Sequence, residues 1–460
     1  MKKLLTLALA ATLSLTPAAA IPPPPAPDPA ATLRDQALRD DLAWELMEGL
    51  TTEIGPRLAG TEAEARARAW AVARLTALGF SNVRVEPFDL PVWERGEERA
   101  EIIAPFPQPL VLAALGNSAA TPRGGLEAQV VRFDSLADLE AAPDAIVQGR
   151  IVFIDHDMSR TQDGSSYGQY GQARFRGPAV ASAKGAVGAV IRSIGTDNHR
   201  NPHVGGTNWP EGVRAIPAAA LANPDADQLA RIFTRGQPVQ LRLTLTPRER
   251  RGQSGNVVAE VPGSDPDAGV ILIGGHLDSW DLGTGAFDNA AGVAITTAAA
   301  HRIMRSGQPR RTIRVVLFGA EETGVHGGAA YFARHSAAGD VVLVAESDFG
   351  ADRVWRAQFN LAPANAALAD RVAALIAPLG IVRGRQPAGA GADLGAWARA
   401  GFAAIDLSPD GSRYFDYHHT PDDTLDKVDP EQLRQQVAAW TAMLAAVANA
   451  PEAIEHPGPR

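Results

Sequence analysis

Residues 274–292 read GGHLDSWDLGTGAFDNAAG. An apolar run, AGVILIGG at 268–275, leads into this stretch, and a helix-forming segment, VAITTAAAHRIM at 293–304, leaves it. The stretch therefore joins a buried strand to a helix, the unit from which parallel α/β sheets are built. A turn needs glycine but neither a histidine nor several carboxylates. His276, Asp278 and Asp288 thus raise a question of chemistry, while Gly283 and Gly285 let the loop fold back.

Three more apolar runs follow the same plan: RTIRVVLFGA at 311–320, DVVLVAESD at 340–348 and GFAAIDL at 401–407, with Ala-rich helical stretches between. Continuous apolar strands alternating with helices predict a mostly parallel mixed sheet covered by helices on both faces. Each strand ends in polar groups. The first gives His276 and Asp288, the second Glu321 and Glu322, and the third Asp348; the fourth leads to His418 and His419. In open α/β sheets ligands bind at the carboxyl ends of the strands, so groups far apart in sequence converge there.

Each group has a plainer reading by itself. A lone His-x-Asp is more often a turn, Glu-Glu a solvated pair, Asp348 a helix N-cap and HHTPDD a capped turn. Their placement at successive strand ends favours the functional reading. The chain has no cysteine, which excludes disulfides and thiolate ligands and leaves His, Asp and Glu to hold any metal. These nitrogen and oxygen donors suit zinc. His156, His199, His203, His301, His326, His335 and His456 lack the pattern and read as ordinary structural or surface histidines.

The 460 residues are too many for one ordinary domain. A net charge of −9 offers no basic field for nucleic acid. The start, MKKLLTLALAATLSLTPAAA, has the basic, apolar and small-residue order of a secretory signal peptide over residues 1–20. It is too short for a membrane span, so export to the periplasm or beyond the cell is expected, with no membrane partner. IPPPPAPDPA then reads as a tether. Residues 35–80 look helical and NVRVEPFDL reads as a strand. From Pro105 the pattern changes to short strands, EAQVVRF, GRIVFIDH and GAVGAVIRSI, with one small helix, VASAKGA, and long polar loops.

GHLDSWD, the acidic pair in FGAEETG, ESDFG, GADLGAW and YFDYHHTPDDT together resemble the di-zinc exopeptidases of family M28. VQGRIVFID, VASAKGAVGAVIRSI and IPAAALANPDADQL are similar to a protease-associated insert. The resemblance spans nearly all of the mature chain. It implies a peptidase domain in two parts, residues 21–105 and 247–460, interrupted by a smaller β-rich insert over 106–246 that roofs the active site.

The same resemblance implies two zinc ions per chain. His276 and Asp348 hold one, Glu322 and His419 the other, and Asp288 bridges both. Glu321 becomes the general base for a metal-bridging water. Asp278 steadies His276 through its second ring nitrogen, and a cis peptide is expected at Asp288–Asn289. Some relatives carry Tyr where this chain has His418, which either donates a hydrogen bond to the reacting oxygen or only packs. In the insert, Arg192 and His203 are placed to meet a substrate terminus, or to serve only the loop.

The expected activity is hydrolysis of dipeptides or short peptides, carboxypeptidase or dipeptidase in type, with a homodimer as a further implication. A broad-specificity aminopeptidase acting on longer peptides is the alternative. A non-catalytic binding protein on the same scaffold fits less well, since every ligand position is filled.

Overall fold

The structure, a computed structural model, describes residues 28–459. The expected signal peptide lies outside the described residues. Two eight-stranded sheets organise the chain. In the first, the strand order is Ser81–Glu94, Arg248–Val261, Thr312–Phe318, Val270–His276, Val341–Glu346, Ala403–Pro409, Val354–Asn360 and Val382–Arg383. The four strands expected from the apolar runs are its parallel centre, and antiparallel strands flank them.

Alternate side chains of the central strands enter two cores. Ile271, Ile273, Ile313 and Val315 face helices Leu42–Gly49, Glu62–Ala77, Ala291–Ser306 and Pro430–Ala448. Val270, Leu272, Val316 and Phe318 face Tyr331 of helix His326–His335 and Trp397 of helix Gly395–Arg399. Burial on both faces is what made these strands continuous apolar runs. From Val270–His276 the chain steps to one neighbour, Thr312–Phe318, and then crosses to the other, Val341–Glu346. That reversal of direction opens a crevice at the carboxyl ends of these strands.

The second sheet runs from Glu98–Ala104 to Gln240–Leu245 in sequence. It begins before the expected residue 106, because the proline-rich APFPQP is a turn inside this sheet, between Glu98–Ala104 and Gln108–Leu110. Four of its strands, Leu126–Phe133, Ile151–Ile154, Gly188–Arg192 and Ala218–Leu221, are parallel neighbours; helices such as Leu136–Ala141 and Gly177–Ala183 lie in the connections between them, and Asn223–Phe233 follows the last. This part is thus α/β in character rather than simply β-rich.

The chain crosses between the sheets twice, side by side. Glu94 pairs with Arg248 in one sheet and Glu98 with Leu245 in the other. Polar contacts hold the second sheet's loops over the first. Arg160 grips the carboxylate of Asp416 at 2.6 and 2.8 Å, and Thr196 donates to the same group at 2.8 Å.

Candidate metal centre

His276 ends its strand fully buried. Its Nδ1 lies 3.0 Å from the carbonyl oxygen of Asp278. A carbonyl only accepts, so Nδ1 carries the proton and Nε2 is left to face the crevice. Nε2 is 2.9 Å from Asp288 Oδ1 and 3.2 Å from Asp348 Oδ1. His419 is held in the same way by the other sheet's loop: Nδ1 donates to Val204 O at 3.0 Å, and Val204 N donates to His419 O at 3.1 Å. Its Nε2 lies 2.9 Å from Glu322 Oε2 and 3.2 Å from Asp288 Oδ2.

One carboxylate, Asp288, thus offers Oδ1 to the His276–Asp348 side and Oδ2 to the Glu322–His419 side. The five residues expected as ligands all meet here. His418, stacked on His419 with ring centroids 3.5 Å apart, also brings Nε2 to 3.5 Å from Asp288 Oδ2. Glu322 makes the closer contact with His419 and fits better as the ligand on that side.

The local backbone explains the aim of each group. Ala320 has φ +57°, a left-handed bend between the strand end and the acidic pair that lets Glu321 and Glu322 point apart. Gly285 has φ +60°, and a Cβ on Gly283 would lie 2.5 Å from Thr420 O, so both loop glycines are required. The Asp288–Asn289 peptide is cis, as expected.

Asp278 differs in detail from expectation. Its carboxylate stands 3.6 Å from His276 Nδ1, beyond hydrogen-bond distance, because its own carbonyl takes that proton. The carboxylate instead accepts the backbone N–H groups of Glu321 and Glu322 at 3.1 and 3.3 Å. It ties the first strand end to the second.

Arg192 and His203 do not line the cavity over the site. Arg192 is spent on Asp155, Asp157 and Asp227. His203 is fully buried, with Nδ1 donating to His418 O at 2.8 Å and Nε2 2.6 Å from Asp197. His156, His199, His301, His326, His335 and His456 likewise stay out of the cavity lining.

Four residues that sequence reasoning missed support the centre. Asp423 accepts the N–H groups of Phe287 and Asp288. Buried Arg57 donates to the carbonyls of Leu277, Thr284 and Gly285. Glu346 accepts from the backbone of Asp393 and Leu394, and Asp393 from Gly328. Asp423 and Asp393 sit in motifs already marked, YFDYHHTPDDT and GADLGAW, and Glu346 stands two residues before Asp348; Arg57 carries no local signal.

The electrostatics call for added positive charge. Burial opposes protonation of His276, yet Asp348, Asp278 and Asp288 outweigh it and hold the ring well above its ordinary range. Burial also opposes His419, but Glu322 and Asp288 push it up to about 9. Burial, with Asp348 and Glu322 adding, raises Glu321 well above the usual carboxylate range against the pull of His276. Burial and His419 press His418 well below the usual imidazole value, so it is neutral. Two imidazoles raised by the carboxylates clustered around them mark a place suited to cations.

Above the centre lies a cavity of about 380 Å³. The first sheet contributes Asp288, Glu321, Glu322, Asp348, His418 and His419; Asn117, Tyr167, Arg174 and Asn208 close it from the second. The Glu321 carboxylate has no hydrogen-bond partner among the described residues and faces this space.

Residues 256–444 match the model of peptidase family M28. The chain is 33% identical to carboxypeptidase Q of Bos taurus over 416 residues, 90% of this chain and 86% of that protein. The crystal structure of a peptidase M28 precursor from Shewanella amazonensis is 45% identical, with a TM-score of 0.91, covering 94% of this chain and 98% of that one. A zinc aminopeptidase from Bacillus subtilis shares the fold at 20% identity and a TM-score of 0.65, over 90% and 96% of the two chains. The strand-end constellation and these likenesses agree: the chain is a peptidase and belongs to family M28.

Proposed function

We propose that this M28 peptidase is an exported zinc exopeptidase that hydrolyses dipeptides or short peptides with two zinc ions per chain. The observation that carries the reading is the split carboxylate of Asp288, one oxygen toward each His–carboxylate pair. His276 and Asp348 would hold one ion and Glu322 and His419 the other, with Asp288 shared. When bound, the ions would supply Lewis-acid polarisation of the scissile carbonyl and acidify the attacking water.

The chain's own residues do the rest. Glu321, unbonded and facing the cavity, takes the proton of the attacking water and returns it to the leaving amine. His418 is neutral and offers a ring N–H to the developing oxyanion; its Nδ1 has no partner. Asp278 and Asp423 fix the backbone that aims Glu321, Glu322 and Asp288. The roof over 106–246, read as a protease-associated insert, limits the length of peptide that fits. The intact donor set argues against a binding-only protein. The N-terminal 20 residues support export, and among the described residues no helix is long and apolar enough to cross a membrane.

Specificity constants for a free dipeptide, its amide and a matching pentapeptide, measured beside elemental analysis, test the proposal. The free dipeptide should be the best substrate, with zinc near two per chain. A pentapeptide preferred over both would replace the reading with a broad aminopeptidase. Protein without zinc at His276 and His419 would overturn the mechanism.

A further inference from the structure

A second cavity, of about 830 Å³, opens at the carboxyl ends of parallel strands in the second sheet. Asp134 follows Leu126–Phe133; Asp155, His156 and Asp157 follow Ile151–Ile154; Arg192 ends Gly188–Arg192. Open α/β sheets place ligands at such strand ends. No residue lining this cavity lines the one over the metal centre. The two nevertheless share a wall, the short helices Ser165–Tyr170 and Gln172–Phe175. Tyr167 and Arg174 line the metal-centre side of that wall, and Tyr170 and Ala173 line this one.

His156 stands in the cavity wall, 7% exposed, and neither Nδ1 nor Nε2 has a hydrogen-bond partner. Buried polar atoms are almost always bonded, so an orphaned ring at a cavity wall points to a ligand contact. Burial, with Arg192 adding, lowers the imidazole from 6.5 to about 4. The ring is therefore neutral near pH 7 and keeps one nitrogen lone pair as an acceptor. Tyr170 stacks on it with ring centroids 5.7 Å apart, so an aromatic surface adjoins that acceptor.

The surrounding charge names the class of ligand. Arg132 Nε donates to Asp155 Oδ2 at 2.7 Å, and Arg192 Nε donates to Oδ1 at 2.8 Å. Arg132 also meets Asp134 at 2.8 Å, and Arg192 meets Asp157 at 3.3 Å and Asp227 at 2.7 Å. Four aspartates thus surround two arginines and leave negative charge in excess. That field repels anions and attracts a cation. Among the described residues, the donor groups close enough to share a metal ion lie at the metal centre and not here. An organic cation fits better: an ammonium donates to a neutral imidazole, is attracted to an aromatic ring and balances carboxylates.

We propose that this cavity is a ligand site for a small primary ammonium, held by His156, the Tyr170 ring and the aspartates at its rim. The site is distinct from the metal centre and independent of which peptides that centre cleaves.

A ligand-observed NMR titration of the zinc-loaded protein tests it, with butylammonium as probe and butanol as its neutral counterpart. Butylammonium should bind at least 10-fold tighter, because a hydrogen bond to a charged group is worth about 10–100-fold. His156→Phe keeps an aromatic ring beside Tyr170 but removes both nitrogens. It should weaken butylammonium about 10-fold or more while zinc content and turnover stay unchanged. Asp157→Asn, on the exposed rim, should weaken it several-fold. Acetohydroxamate, which binds zinc and carries no ammonium, should leave the probe bound.

Equal binding of butylammonium and butanol overturns the proposal. Displacement by acetohydroxamate also overturns it, because the amine would then sit at the metal centre. So does an affinity that His156→Phe leaves intact. If His156→Phe fails to fold, Asp157→Asn decides, and an unchanged affinity there overturns it. A pentapeptide preference in turnover would sink the dipeptidase reading without touching this result.

Discussion

The Asp423 carboxylate accepts the backbone N–H of Asp288 at 3.1 Å, and its other oxygen accepts that of Phe287 at 2.6 Å. The shared metal-ligand candidate is therefore aimed by a second buried acid on a different loop. Burial and the nearby Asp288 push Asp423 up to about 7, against the pull of those two N–H groups and Arg57. Asp423→Ala removes both acceptors. Zinc affinity should fall about 10–100-fold, the usual cost of losing a group that orients a ligand. Titration against a competing chelator measures it, and unchanged affinity would mean that the loop glycines alone set the aim.

Glu321→Gln keeps size and every proposed ligand but removes the proton carrier. Turnover should fall by at least about 10²–10⁴-fold with zinc content unaltered. Near-normal turnover of a zinc-replete variant would move the base to another residue.

His203 spends both ring nitrogens, on His418 O and Asp197, and so seats the loop that presents His418 and His419. His203→Ala should lower the melting temperature and weaken zinc binding, since a buried acceptor left unsatisfied costs about 1–3 kcal/mol. KM at saturating zinc should change little. A large rise in KM with zinc affinity intact would instead make His203 a substrate contact.

His156 is buried away from the centre, stacked on Tyr170 at 5.7 Å, with neither ring nitrogen bonded. Burial, with Arg192 nearby, lowers it from 6.5 to about 4. A folded-state value below the unfolded one means the neutral ring stabilises fully above pH 6.5 and loses that contribution as pH falls toward 4. The loss amounts to about 3 kcal/mol at most. His156→Phe should flatten the fall in melting temperature across that interval; an unaltered pH slope would contradict the assignment.

The central sheet was legible because strands covered on both faces must be apolar throughout, and Val270–His276 and its neighbours are. The ligand candidates were legible because strand ends in such a sheet converge. What the sequence hid has a common cause. Arg57 and Val204 act through backbone groups, and a carbonyl leaves no mark on residue type. Arg174 sits in an unremarkable QARF, and only three-dimensional packing brings it over the centre. Arg192 looked the better choice beside a polar loop, yet Asp155 and Asp157 after strand Ile151–Ile154 and Asp227 on helix Asn223–Phe233 neutralise it. The boundary near 105 misled because proline marks a turn without saying whether the turn ends a unit.

The paired crossings at Glu94–Arg248 and Glu98–Leu245 make the roof a detachable module in topology but not in chemistry. A short hairpin turn could join Glu94 to Arg248 and leave every strand of the first sheet paired as before. The shortened chain would nevertheless lack the carbonyl of Val204 that fixes the His419 tautomer, the imidazole that seats His418, and the guanidinium above them. Strand pairing in the first sheet thus does not pass through the roof, while the active centre belongs to both halves of the molecule.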